Sequence, residues 1–115
     1  MNIERIERAG HVILEVEGAI RLGESGKQLA DALAAELDAG TEHLLLELSR
    51  INYVDSTGVG ELVGYLTRFG ESGRRMVLVN PSLRIRTLLQ IARIEHLFEI
   101  HDTLEEALGG ADSKD

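Results

Sequence analysis

Leu44-Leu45-Leu46-Glu47-Leu48 is a short, almost unbroken apolar run. A strand with one solvated face alternates apolar and polar residues, whereas this run calls for cover on both faces. It is far too short to span a bilayer. It therefore reads as a central strand of a layered α/β domain. Met76-Val77-Leu78-Val79 is a second such run, and Leu97-Phe98-Glu99-Ile100, interrupted by Glu99, reads as a last short strand. Between them lie stretches with helical periodicity, which implies parallel neighbours joined by right-handed crossovers.

The first two strands differ in kind. Residues 2–8 and 11–17 read as a hairpin closed at Ala9-Gly10, with Val12, Leu14 and Val16 on one face and a more polar second face. The predicted fold class is thus α/β, a mixed sheet with the order β-β-α-β-α-β-α-β-α. The first helix is expected to open at Ser25, where Ser25-Gly26-Lys27-Gln28 has capping-box spacing. Leu29, Leu33 and Leu37 follow on one side, and Gly40 is expected to end the helix with positive φ. The second helix is expected over 57–69, ending near Gly70 or Gly73. Asn80-Pro81 marks a third helix, with Leu83, Ile85, Leu88, Leu89 and Ile91 as its apolar side. Asp102 and Glu105 suggest a cap for a fourth, which should stop at Gly109-Gly110. The domain is accordingly read as 1–108 and the segment 109–115 as a flexible tail.

Composition removes several functions. A net charge of -8 opposes binding to nucleic acid or to an anionic membrane surface. With no Trp, two Tyr and two Phe, there is little material for stacking bases. Without Cys there are no disulfides, thiol catalysis or cysteine zinc sites. His11, His43, His96 and His101 show no metal-ligand spacing, so no metal and no cofactor is expected. No apolar run reaches the length of a membrane span, and Met1-Asn2-Ile3-Glu4-Arg5 lacks the charged-then-apolar start of a secretory signal. A cytoplasmic location is the expectation.

The most informative stretch is Tyr53-Val54-Asp55-Ser56-Thr57-Gly58-Val59-Gly60, between a buried strand and a helix. Strand-to-helix turns are where function gathers in open α/β sheets. The first amides of a helix lack internal partners and lie at the positive end of its dipole. A phosphate on Ser56 would be held there and would add about -1.5 to -2 charges. Asp55 would repel that phosphate, or would instead orient the hydroxyl. Helix capping accounts for Asp and Ser at such a position equally well, and more commonly. Gly58, Gly60 and Gly64 each cost about 1 kcal/mol in a helix relative to Ala. Three of them imply a close approach, from the sheet or from a partner. As a catalytic nucleophile, Ser56 lacks the Gly-x-Ser-x-Gly elbow. No catalytic residue is expected.

These residues, the hairpin and the element order resemble the anti-sigma factor antagonist (STAS domain) family over nearly the whole domain. The resemblance implies a mixed sheet with helices mainly on one side. It implies a binding module, not an enzyme, phosphorylated on the Ser after the Asp. That places the modification on Ser56, with Thr57 as the fallback acceptor. Asp55, Thr57, Gly58, Val59, Gly60 and Arg21 would surround it. The partners implied are an anti-sigma factor with serine kinase activity and a serine phosphatase. The alternative within the same fold is a non-switching scaffold or an accessory subunit of a stress-sensing or lipid-transport complex. Two departures stand out. Where the family often carries Gly-Glu-Leu-Asp, this chain has Gly18-Ala19-Ile20-Arg21, so a base replaces an acid. Arg21 is expected either to approach Asp55 or phosphorylated Ser56, or to stand as a solvated surface residue. Arg93 replaces a family glycine, so the local turn is expected to differ.

Overall fold

A computed structural model describes residues 1–21, 23–40 and 42–112. Strands β1 (Asn2–Arg8) and β2 (His11–Ile20) pair antiparallel, with Arg8 opposite His11. Only Ala9 and Gly10 lie between them, with φ of 53° and 77°. Positive φ at both positions is what a two-residue turn needs to match the twist of its strands.

The chain continues as α1 (Glu24–Ala39), β3 (His43–Val54), α2 (Ser56–Glu71) and β4 (Met76–Val79). Then come α3 (Leu83–Ile91), a 3₁₀ turn (Glu95–Leu97), β5 (Glu99–His101) and α4 (Leu104–Asp112). The sheet order is β1-β2-β3-β4-β5, with β2 to β5 parallel. The expected mixed sheet and element order are thus present.

Leu44, Leu46 and Leu48 face one side of the sheet with Val12, Leu14 and Val16. There Leu29 and Leu33 of α1, Leu62 and Phe69 of α2, and Ile85 and Leu89 of α3 close the main core. Leu45 faces the other side with Ile13, Val77 and Val79, under Leu104, Ala107 and Leu108 of α4. Three helices on one side and one on the other explain why the Leu44–Leu48 run could not alternate.

Several local expectations are corrected. β3 continues past the apolar run Leu44–Leu48 to Val54. It pairs with β2 as far as Ile20 and Val54, because both strands are long enough to continue together. Ser25 does not cap α1, which starts one residue earlier behind Gly23. Its hydroxyl oxygen instead accepts from the Arg21 N–H at 3.3 Å. Gly40 ends α1 in extended geometry, with φ of -116°. Pro81 stands before α3, whose cap is Ser82. The last strand lies two residues later than expected, because Glu95–Leu97 coil first. Thr103, not Asp102, caps α4: its hydroxyl accepts from the Glu106 N–H, and the Glu106 carboxylate accepts from the Asp102 N–H. That helix passes through Gly109 and Gly110 without stopping. The last residues of the expected tail, 113–115, lie outside the described residues. Arg93 adopts φ of 61°, so the arginine itself enters the left-handed region that suits glycine.

Candidate functional site

The site is built at the carboxyl ends of β2 and β3. Ile20 pairs with Val54, and the Asp55 N–H donates to the Ile20 carbonyl at 3.1 Å. This bond fixes the chain as it leaves the sheet. Asp55 then takes extended geometry, and its Oδ1 accepts from the Gly58 N–H at 2.9 Å. Its carbonyl accepts from the Val59 N–H. Asp55 is therefore the helix cap, a role that suits a short carboxylate.

Capping by Asp55 frees Ser56 from that task. Ser56 is the first residue of α2 and is exposed, as is Thr57 beside it. Gly58 and Val59 are buried, whereas Gly60 is exposed. The close approach inferred from three glycines is real at one of them. A Cβ on Gly58 would lie 2.6 Å from Ile20 Cγ2 and 3.0 Å from Val54 Cγ2. At Gly60 and Gly64 a Cβ would meet nothing within 4 Å. The sheet demands the first glycine and neither of the others.

Arg21 follows Ile20 directly, which sets its backbone beside Asp55. Its guanidinium carbon lies over the Tyr53 ring, 4.7 Å from the centroid. Tyr53 is itself partly exposed. The same strand end carries an apolar feature that the sequence reading missed. Val54, Leu83, Arg84, Thr87, Leu88 and Ile91 line an open groove of about 560 Å³. Leu83 and Ile91 belong to the apolar side expected of the third helix, yet they are 79% and 73% exposed. The spacing held the signal. Leu83, Thr87 and Ile91 recur every fourth residue and form a stripe separate from buried Ile85 and Leu89.

The histidines lie elsewhere. His11 and His43 meet at the amino ends of β2 and β3, with ring centroids 5.6 Å apart. Among the described residues, no cluster of three or more His, Asp or Glu side chains could hold a metal. No helix among them is long and apolar enough to cross a membrane.

Comparison with known proteins places this geometry in a family. The STAS domain model matches residues 2–107. A Thermotoga neapolitana protein named as an anti-sigma factor antagonist homologue is 33% identical over 72 residues, 63% of this chain and 64% of that protein. The chain thus aligns with just under two thirds of that relative's length. The crystal structure of an anti-sigma factor antagonist from Thermotoga maritima superposes with a TM-score of 0.87 at 23% identity, covering 96% of this chain and 95% of that one. The Bacillus cell fate determinant SpoIIAA in its phosphorylated form gives a TM-score of 0.73 at 20% identity, covering 96% and 99%. The chain belongs to the anti-sigma factor antagonist (STAS domain) family.

Proposed function

We propose that this chain is a phosphorylation-switched antagonist that binds an anti-sigma factor while Ser56 carries a free hydroxyl. The observation that carries the reading is the position of Ser56. It is exposed at the start of α2, relieved of capping by Asp55, and two residues from Val54 at the edge of the apolar groove. A partner seated on exposed Leu83 and Ile91 and on the start of α2 would cover Ser56. Phosphorylation adds about -1.5 to -2 charges at a surface that must be desolvated for docking. The modified protein would be rejected without refolding.

The partner in this reading is an anti-sigma factor with serine kinase activity, and a serine phosphatase resets the site. Thr57 is exposed and remains the second candidate acceptor. Gly58 and Val59 act from beneath by seating α2 on the sheet, while Thr57 and Gly60 face the partner. The module carries out no chemistry of its own, uses no cofactor and works in the cytoplasm. A relative named as an antagonist and one solved in phosphorylated form support this assignment.

The test is incubation with the cognate kinase and ATP, read by intact-mass and peptide mass spectrometry. One phosphate per chain on Ser56, absent in Ser56→Ala, is the expected result. Ser56→Asp should weaken partner binding by about tenfold or more, the effect of a charge left unpaired in an interface. Partner binding indifferent to Ser56→Asp would identify a non-switching scaffold instead.

A further inference from the structure

We propose that Arg21 is the counter-ion of phosphorylated Ser56 and that the Tyr53 ring holds it in place until the phosphate arrives. The proposal rests on the reading of Ser56 as the modified residue and adds what this chain does with the modified state.

The backbone of Arg21 is pinned on both sides. Its N–H donates to Ser25 Oγ at 3.3 Å, and its carbonyl accepts from the Gly26 N–H at 2.9 Å. That second bond leaves no room for a side chain at position 26, where a Cβ would stand 2.5 Å from the Arg21 carbonyl oxygen. Just before Arg21, the Ile20 carbonyl accepts the Asp55 N–H. Neighbouring strands run about 4.8 Å apart, and one residue advances the chain by about 3.8 Å. Ser56 is therefore within the span of the Arg21 side chain, which can move while its backbone stays fixed.

Among the described residues, the guanidinium stands outside the ion pairs that engage three other arginines. Arg5, Arg75 and Arg86 pair with Glu36, Glu99 and Asp102. Among the described residues, Arg21 has no carboxylate in a salt bridge. Its partner is the face of Tyr53, and a half-exposed aromatic face holds a cation weakly. A phosphate offers charge and paired acceptor oxygens, which a guanidinium fork matches far better.

The chain has need of such a cation. It already carries a charge of -8, and the Asp55 carboxylate is bonded into the turn immediately before Ser56. A phosphate added there meets like charge on its own strand end. Transfer of Arg21 would offset that repulsion and would uncover the Tyr53 ring. Phosphorylation would then change the surface twice, adding an anion at Ser56 and exposing an aromatic face at Tyr53.

The experiment uses the full chain with phosphoserine installed at position 56 during translation, so no kinase is needed. The second ionisation of the phosphate is titrated by phosphorus NMR in the wild type, Arg21→Gln and Arg21→Lys. The wild-type value should lie about half a pH unit or more below that of Arg21→Gln, as expected for one solvent-exposed cation at close range. Arg21→Lys should keep most of the depression, because a point charge suffices for it. Proton NMR of the Tyr53 ring should show a shift between the unmodified and phosphorylated wild type that Arg21→Gln lacks. Equal phosphate titrations in wild type and Arg21→Gln, or Tyr53 signals unmoved by phosphorylation, overturn the proposal. A failure of any kinase to modify Ser56 bears on the switch and leaves this measurement intact.

Discussion

A methyl group added at Gly58 would press on Ile20 Cγ2, Val54 Cγ2 and the Ile20 carbonyl oxygen together, the last at 3.2 Å. The side chains can yield by a few tenths of an ångström, but the carbonyl belongs to the bond that fixes Asp55. Gly58→Ala should therefore destabilise the protein by about 1–3 kcal/mol, the usual range for overpacking. Two residues on, the same methyl at Gly60 meets open space. There only the helix propensity counts, and Gly60→Ala should stabilise by up to about 1 kcal/mol. Urea unfolding of both variants decides the matter, and effects of the same sign would contradict this account. In the sequence, Gly58, Gly60 and Gly64 look equivalent. Only the strand ends beneath Gly58 make it different, and no local pattern contains them. Ser56 is a similar case. Asp-Ser before a helix reads as a cap with either residue in the role, and the bond from the Gly58 N–H to Asp55 settles which.

Across the sheet, Glu4 of β1, Glu15 of β2 and Glu47 of β3 stand in one row. All three side chains face the side opposite the main core, in a cleft with Asn2, Glu17 and Arg50. Like charges directly opposite one another weaken strand pairing. Glu15→Lys would place a cation between two anions and should stabilise by about 0.5–1 kcal/mol. The gain should shrink in high salt, because these are surface charges. Thermal unfolding at low and high ionic strength checks both parts. The row shows what a one-dimensional reading retains and what it loses. Alternation along β2 sorts Val12, Leu14 and Val16 from Glu15 and Glu17 in the sequence alone. The alignment of Glu15 with Glu4 and Glu47 depends on register between strands, and only the hairpin part of that register follows from Ala9-Gly10. Element order was legible because each apolar run and each helical stripe is local. Helix limits were less so. Ser25 and Gly109 each have the right residue type for an end, yet the bond to Arg21 and the continuation of α4 decided otherwise, whereas Gly40 does end α1 but without the positive φ expected of it. Leu83 and Ile91 mark the other gap, since a nine-residue helix carries two apolar stripes and the sheet covers only one of them.

At the scale of the whole molecule, the two ends of the sheet carry different chemistry. The carboxyl ends hold Asp55 and Ser56, and the amino ends hold His11, His43 and Arg75. His43 Nδ1 accepts the Arg75 N–H at 2.8 Å, so its unprotonated nitrogen is built into the join between β3 and β4. Burial, and then the charges of Arg75, His11 and Arg74, hold the His43 pKa below its ordinary value of 6.5, with Glu99 opposing them. A histidine that resists protonation only when folded favours the unfolded state in acid. Well above pH 6.5 neither state is protonated at His43 and the fold keeps its full stability. As pH falls below 6.5, the unfolded chain takes up a proton that the folded chain refuses, and stability declines. Glu99 acts in the same direction at lower pH. Its hydrogen bond from Arg75 holds its pKa below 4.5, so its contribution is present above that value and is lost as pH falls through the folded pKa. Denaturant unfolding at pH 7.5 and 5.5 should therefore show a drop in the wild type. The drop should be smaller in His43→Gln, whose side-chain carbonyl can still accept the Arg75 N–H. This acid sensitivity should be independent of the switch. The twelve residues of β3 separate His43 from the site. At about 3.3 Å per residue they span several times the screening length of about 8 Å in physiological salt. Ser56→Asp should leave the pH-dependent loss unchanged, and a shift in it would mean that the two ends of the sheet communicate through the strands themselves.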